Sequence, residues 1–355
     1  MVNFRSRIVL VVLSVITLSS SVWADEVKPV SLPVVDCNNF CFAVIGDREG
    51  RERSGIFPVV IEKLNLLDPD FVVSVGDSVP GYTSDVNNIN AQWDEFDKLI
   101  QPLKMPFLKT VGNHDMTNET MAGIYTKRYG RTYFHAVYKD TLFMFISTED
   151  PYSKEPNETK NKMDKLRDGT FKESKEDKAL LKMKKRLKAG GYKDAKGMKE
   201  YEKKHRDFRG SKITDQQVEY FKNVLEQNKN VRWTFVIMHK HAYEETNPPA
   251  NWLKIEKMLA ERPYTVFSGH EHRYQYLNRN GRDYIAMATV GGGQKNPPQT
   301  RPGIYDSVML VNMRGNEPVF AHVLIDGVFD KTDVRKAKVL LDAELEKVHQ
   351  TQAED

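Results

Sequence analysis

Short apolar runs recur along the chain and outline its architecture. They are "FCFAVIGD" (40–47), "DFVVSVGD" (70–77), "MPFLKTVGNHD" (105–115), "VRWTFVIMHK" (231–240) and "YTVFSGHEH" (264–272). Most are near-continuous in apolar residues rather than alternating, which predicts strands buried on both faces. Segments with apolar residues at helical spacing lie between them, at 55–67, 91–103, 214–228 and 251–261. The third opens with Thr214 and carries Gln217 three residues on, a capping-box pattern. Strands alternating with helices predict an α/β domain.

Other segments pair locally. Residues 133–148 read as a hairpin turning at Lys139-Asp140, and 274–290 as two strands around Asn280-Gly281. Residues 307–325 read as a further hairpin and 333–350 as a helix. The pattern predicts two sheets, one partly parallel and one more antiparallel.

The N-terminus has a different character. Arg5 and Arg7 precede an apolar stretch, Ile8 to Leu18, and "SSSVWA" then sets Val22 and Ala24 at the −3 and −1 positions of a small-residue cleavage site. This predicts a secretory leader over 1–24, cut after Ala24, and hence a periplasmic or secreted protein. The stretch is too short to span a bilayer comfortably, so no transmembrane anchor is expected after cleavage. Two cysteines, Cys37 and Cys41, occur in "CNNFC". In an oxidising compartment they are expected to form a short-loop disulfide, because the spacing is not the redox-active C-x-x-C.

Charge is unevenly placed. The 355 residues carry a net charge of +4, yet residues 154–210 alone carry 20 Lys+Arg and 11 Asp+Glu, leaving the remainder net acidic. This segment reads as a basic, mostly helical insertion, either a solvated flap or a patch that attracts anions. It has few aromatic residues for stacking bases, so no specific nucleic-acid partner is predicted.

Chemistry concentrates where the apolar runs stop. They end at Asp47, at Asp77, at Asn113-His114-Asp115, at His239, and at His270 and His272. In α/β sheets, ligands bind beyond the carboxyl ends of strands. Were the strands side by side, these groups would meet in one crevice. Carboxylates, an amide oxygen and imidazoles form a mixed N/O set that suits Mn, Fe, Zn or Co better than copper or calcium. Two such ions about 3.5–4 Å apart can clamp an in-line displacement at phosphorus. Gly46 and Gly76, each before an Asp, allow sharp turns and close backbone approach.

With "GD" at 46–47, "GD" at 76–77, "GNHD" at 112–115, His239 after a strand and "GHEH" at 269–272, the sequence resembles the calcineurin-like metallophosphoesterase family over roughly residues 40–325. The resemblance implies a sandwich of two mixed β-sheets flanked by helices, formed by 25–153 and 211–355, with 154–210 inserted. It implies two divalent or trivalent metal ions (Mn, Fe or Zn) and a small phosphoester substrate, monoester or diester. Asp77 would bridge the ions, Asp47 and His272 would complete one site, and Asn113, His239 and His270 the other. A metal-bridging hydroxide would attack phosphorus, His114 would stabilise the transition state or protonate the leaving oxygen, and Asp115 would orient His114.

Two departures matter. The family often has a His two residues after its first Asp, where this chain has Glu49, a possible extra metal ligand. Arg48 between them is a candidate for binding substrate phosphate, or equally for a structural ion pair. His241 stands where the family often has Pro, and either lines the pocket or is a bystander. Tyr82, just after Asp77, either reaches the substrate or, more in keeping with its place, packs its loop. "GGG" at 291–293 makes a flexible loop placed to border the site. The rival function is a non-catalytic binding protein on the same fold, holding an anionic cell-surface partner through the basic insertion.

Overall fold

The computed structural model describes residues 37–152, 210–245, 248–294 and 303–328. The expected leader, the basic segment up to residue 209 and the expected helix at 333–350 lie outside the described residues.

The apolar runs form strands as their composition demands. They are β1 (Phe40–Ile45), β2 (Phe71–Ser74), β3 (Phe107–Lys109), β6 (Trp233–Ile237) and β7 (Tyr264–Ser268). The predicted hairpins are β4 (Phe134–Tyr138) with β5 (Thr141–Phe145), β8 (Gln275–Arg279) with β9 (Arg282–Ala286), and β10 (Ser307–Arg314) with β11 (Glu317–Leu324). Lys139 and Asp140 both take positive φ (44° and 56°), as do Asn280 and Gly281 (54° and 71°). This is the two-residue turn whose twist matches that of its strands.

Among the described residues, five α-helices connect the strands: α1 (Ile56–Leu67), α2 (Val86–Ile100), α3 (Glu119–Tyr129), α4 (Asp215–Gln227) and α5 (Ala250–Leu259). α2 starts five residues earlier than its apolar spacing suggests, because the Asp85 carboxylate accepts the N–H groups of Asn87 and Asn88. α3 is absent from the sequence reading. Its signals are local: Asn118 caps Met121 N–H, Glu119 lies in the first turn, Lys127 and Arg128 lie in the last, and Gly130 follows.

Both sheets are mixed. One has the order β11-β10-β1-β2-β3, with β1, β2 and β3 parallel and the β10–β11 hairpin antiparallel to β1. The other has the order β4-β5-β6-β7-β9-β8, parallel from β5 through β9 and closed at each edge by an antiparallel hairpin partner. The second sheet is therefore less antiparallel than expected, and the five motif-bearing strands do not lie side by side. β1, β2 and β3 belong to one sheet, β6 and β7 to the other.

The alternation along β1 shows how the layers stack. Phe40, Phe42 and Val44 join the core between the sheets, with Phe71, Val73, Phe143, Phe235 and Phe267. Ala43 and Ile45 face outward into a second core under α1, α2 and α3. Leu142 and Met144 likewise pack under α4 and α5 with Phe221 and Trp252. β1, β2, β5, β6 and β7 are buried on both faces, which accounts for their unbroken apolar runs, whereas β8 and β11 alternate between covered and exposed positions.

Cys37 and Cys41 are free thiols, not the expected disulfide. Cys41 is already fixed in β1, in register with Asn312 and with its N–H donated to the Asp70 carboxylate at 2.9 Å.

Candidate metal centre

Each candidate ligand sits just past the carboxyl end of a strand, and the two sheets bring these ends to one place. Asp47 follows β1, Asp77 follows β2 and Asn113 follows β3, while His239 follows β6 and His270 and His272 follow β7. Two groups of donor atoms result, Asp77–His239–His270 and Asp47–Asp77–His272, each within 4.8 Å among its own members. Asp77 belongs to both.

The turns are tight enough to require unusual backbone. Asp77, His270 and His272 all take positive φ (57°, 72° and 55°), a conformation that a non-glycine residue holds only when its surroundings impose it. Gly269 has no room for a side chain, since a Cβ there would lie 2.3 Å from Asp47 Oδ1.

Asp77 is fixed from beneath by Asp115. Asp115 Oδ2 accepts the N–H groups of Asp77 and Gly112 at 2.9 and 2.8 Å, and Oδ1 accepts those of Ser78 and Val79 at 2.8 and 3.2 Å. Burial, then the Asp77 charge, pushes the Asp115 carboxyl up to about 7, against the pull of these donors. Asp77 behaves oppositely. Burial alone would raise it, but the facing His239 and His114 imidazoles hold it far below the usual carboxylate range.

Imidazole orientation comes from backbone carbonyls. His239 Nδ1 donates to Val75 O at 3.0 Å, His272 Nδ1 to Gly293 O, and His114 Nδ1 to Pro80 O at 2.8 Å. A carbonyl can only accept, so Nδ1 carries the proton and Nε2 is turned toward the carboxylates. His239 Nε2 reaches Asp77 Oδ2 at 3.3 Å, and His272 Nε2 reaches Asp47 Oδ2 at 3.2 Å.

The arrangement around His239 Nε2 tests whether cations fit. Three polar atoms converge on it: Asp77 Oδ2, Asn113 Oδ1 at 3.0 Å and His270 Nδ1 at 3.2 Å. Burial disfavours charge on His239, yet Asp77 outweighs this and raises it to about 10. His270 is pushed well below its ordinary value by burial and by His239. A carboxylate oxygen, an amide oxygen and two imidazole nitrogens thus meet at one point, a donor set that a cation would satisfy. On the other side, Asp47 Oδ1 is buried with no hydrogen-bond partner among the described residues. The donor set fits a pair of cations with Asp77 between them.

Other expected site residues are placed differently. Asp115 anchors the Asp77 turn, and the partner of His114 Nδ1 is Pro80 O, so the orienting role expected of Asp115 falls to a main-chain carbonyl. Arg48 is only 2% exposed, donates to Ser78 O at 2.9 Å, and pairs with Glu95 at 2.7 Å and Glu52 at 3.1 Å. That is the structural ion pair of the two alternatives, not an open phosphate contact. Glu49 is buried, its Oε1 lies 3.6 Å from the Arg48 guanidinium, and it joins neither donor group. His241 bonds Gly269 O and Glu244 on the wall of a cavity of about 380 Å³ that also includes His270. The glycine run does border the centre, through Gly293 O and through Gly292 N–H donating to Asp47 O.

The strand order, the shared carboxylate and the convergent imidazoles define a metallophosphoesterase-type site. The chain belongs to the calcineurin-like phosphoesterase family, whose model matches residues 42–274. No curated protein sequence matches it. Among solved structures, a dimetal phosphatase from Danio rerio is similar at a TM-score of 0.50 and 11% identity, over 81% of this chain and 99% of that one. A purple acid phosphatase from yellow lupin (Lupinus luteus) seeds is similar at a TM-score of 0.50 and 13% identity, over 82% of this chain and 52% of that one. At these identities the likeness is one of fold. No helix among the described residues is long and apolar enough to cross a membrane.

Proposed function

We propose that this protein is an exported, dinuclear-metal phosphoesterase that hydrolyses phosphomonoester or phosphodiester bonds. The observation that carries this reading is the sharing of Asp77 between two triads of closely spaced donors. Asp47 and His272 would hold one ion of Mn, Fe or Zn, and Asn113, His239 and His270 the other, with Asp77 common to both. When bound, such a pair neutralises phosphoryl charge and makes water acidic enough to attack near neutral pH.

The protein's own groups supply positioning and the proton. Asp115 fixes the Asp77 turn through four N–H groups. His114 lies at the rim, 13% exposed at its side chain, with Nε2 4.0 Å from Asp77 Oδ2. The Pro80 carbonyl aims that nitrogen at the centre. There the imidazolium form, protonated at both ring nitrogens, would give its Nε2 proton to the leaving oxygen as the P–O bond breaks and be left as the neutral Nδ1–H imidazole. The leader-like residues 1–24 support export to the periplasm or beyond.

The test is a rate assay on metal-stripped protein reloaded with Mn, Zn or Fe, using an aryl phosphate monoester and the matching diester. Metal-dependent turnover that disappears in Asp77→Asn is expected. Folded, metal-loaded protein that turns over neither ester would overturn the reading in favour of a binding protein on this fold.

A further inference from the structure

The loop between β2 and α2 folds back over the Asn113–Asp115 turn, and its contacts there have one consistent effect. Pro80 O takes the His114 Nδ1 proton at 2.8 Å. Gly81, at φ 65°, lies so close that a Cβ would stand 1.8 Å from His114 O. Tyr82 N–H donates to Thr117 Oγ1 at 3.0 Å, and that hydroxyl donates onward to Asn113 O at 3.1 Å. Tyr82 holds a positive φ of 56°, unusual for a bulky residue. The loop is therefore fixed from several sides.

At its tip, the Tyr82 phenol oxygen accepts Asn113 Nδ2–H at 2.8 Å, and the ring meets the His114 imidazole edge-on with centroids 4.8 Å apart. An amide has one face that can hold a cation, its oxygen. Rotated by half a turn, it presents two protons instead. Asn113 Oδ1 points inward, 3.0 Å from His239 Nε2, and the phenol holds the opposite end of the amide.

We propose that Tyr82 is a positioning residue for this centre: its phenol oxygen holds the Asn113 amide so that Oδ1, and not Nδ2, faces the metal, while its ring backs His114. The assignment rests on the dinuclear reading above. Neither motif spacing nor the ligand set requires a tyrosine here. It follows from the hydrogen bond and the ring contact.

Calorimetric titration of metal-free protein with Mn or Zn tests it. Tyr82→Phe keeps the ring and removes only the hydroxyl. Loss of an outer hydrogen bond to a ligand weakens metal affinity by about tenfold or more, so one of the two sites should weaken by that factor and the other stay unchanged. Asn113→Asp supplies the control, because a carboxylate has two equivalent oxygens and cannot face the wrong way. In that background Tyr82→Phe should change affinity by no more than about twofold, the coupling expected of two groups acting as a unit.

Tyr82→Phe binding both ions like the unaltered protein would overturn the assignment. So would a loss that persists in full in the Asn113→Asp background, since packing and not amide orientation would then be responsible. Unaltered protein that binds no metal would overturn the dinuclear reading itself, an outcome separable from the other two.

Discussion

Asp115 carries Asp77 on its carboxylate: Oδ2 accepts the Asp77 N–H at 2.9 Å while Oδ1 takes Ser78 and Val79. The residue that would bridge two cations is thus held by another acid that touches none of them. Two buried carboxylates stand back to back, and the four N–H donors around Asp115 make this tolerable.

Asp115→Asn should therefore be damaging although the change is small. An amide nitrogen would face at least one main-chain N–H, leaving buried donors without an acceptor. A loss of about 2–3 kcal/mol is expected, read from the midpoint of urea unfolding on metal-free protein. Weaker metal binding should accompany it, because the Asp77 turn loses its support.

Gly269→Ala tests the crowding at Asp47. The new methyl would meet Asp47 Oδ1 at 2.3 Å and Val75 Cγ2 at 2.6 Å. Asp47 should be displaced and affinity at its site should fall by about tenfold or more, with circular dichroism near normal. Gly123→Ala is the contrasting change. Gly123 lies inside α3 with nothing within 4 Å of an added Cβ, so stability should rise by about 0.5–1 kcal/mol.

Arg48→Met separates a structural arginine from a substrate-binding one. Its guanidinium serves Ser78 O, Glu95 and Glu52 and lies 5.7 Å from the Phe57 ring centroid. Glu95 and Glu52 are partly exposed, which tempers the loss to about 2 kcal/mol. KM for a phosphate ester should stay unchanged. A large rise in KM at unaltered stability would return Arg48 to the substrate.

Glu256 gives a pH dependence remote from the centre. Arg279 bonds both its oxygens at 2.7 and 3.0 Å, and Tyr284 donates to Oε1 at 2.7 Å. Burial alone would raise its pKa, but Arg279 and Tyr284 win and lower it. A carboxylate lowered on folding contributes stability above its ordinary pKa of about 4.3, and that contribution fades as pH falls through the folded value. Glu256→Gln should lose about 1–2 kcal/mol at pH 7. Its deficit should shrink below about pH 4, as measured by denaturation across pH.

The layers were legible because burial on both faces leaves a distinct trace: β1, β5, β6 and β7 have almost no polar interruption. Ligand positions were legible for a related reason, since a polar triplet such as Asn113-His114-Asp115 ending an apolar strand has few structural explanations. Sheet membership was not. Which strand neighbours which depends on pairing between distant residues, such as Phe40 with Met313, and no local pattern encodes it. The orienting contacts were equally hidden, because Val75, Pro80 and Gly293 contribute main-chain oxygens that any residue possesses. The role of Arg48 depended on Glu95, 47 residues away on α2.

Three of the six donors leave one sheet and three leave the other. Ions seated between them would clasp the sandwich at one rim, so the folded population would rise with the concentration of free metal. A chain starved of its ions would open more often and meet proteases more often. Its abundance would then report the metal supply of whatever compartment it occupies, quite apart from any ester it cleaves.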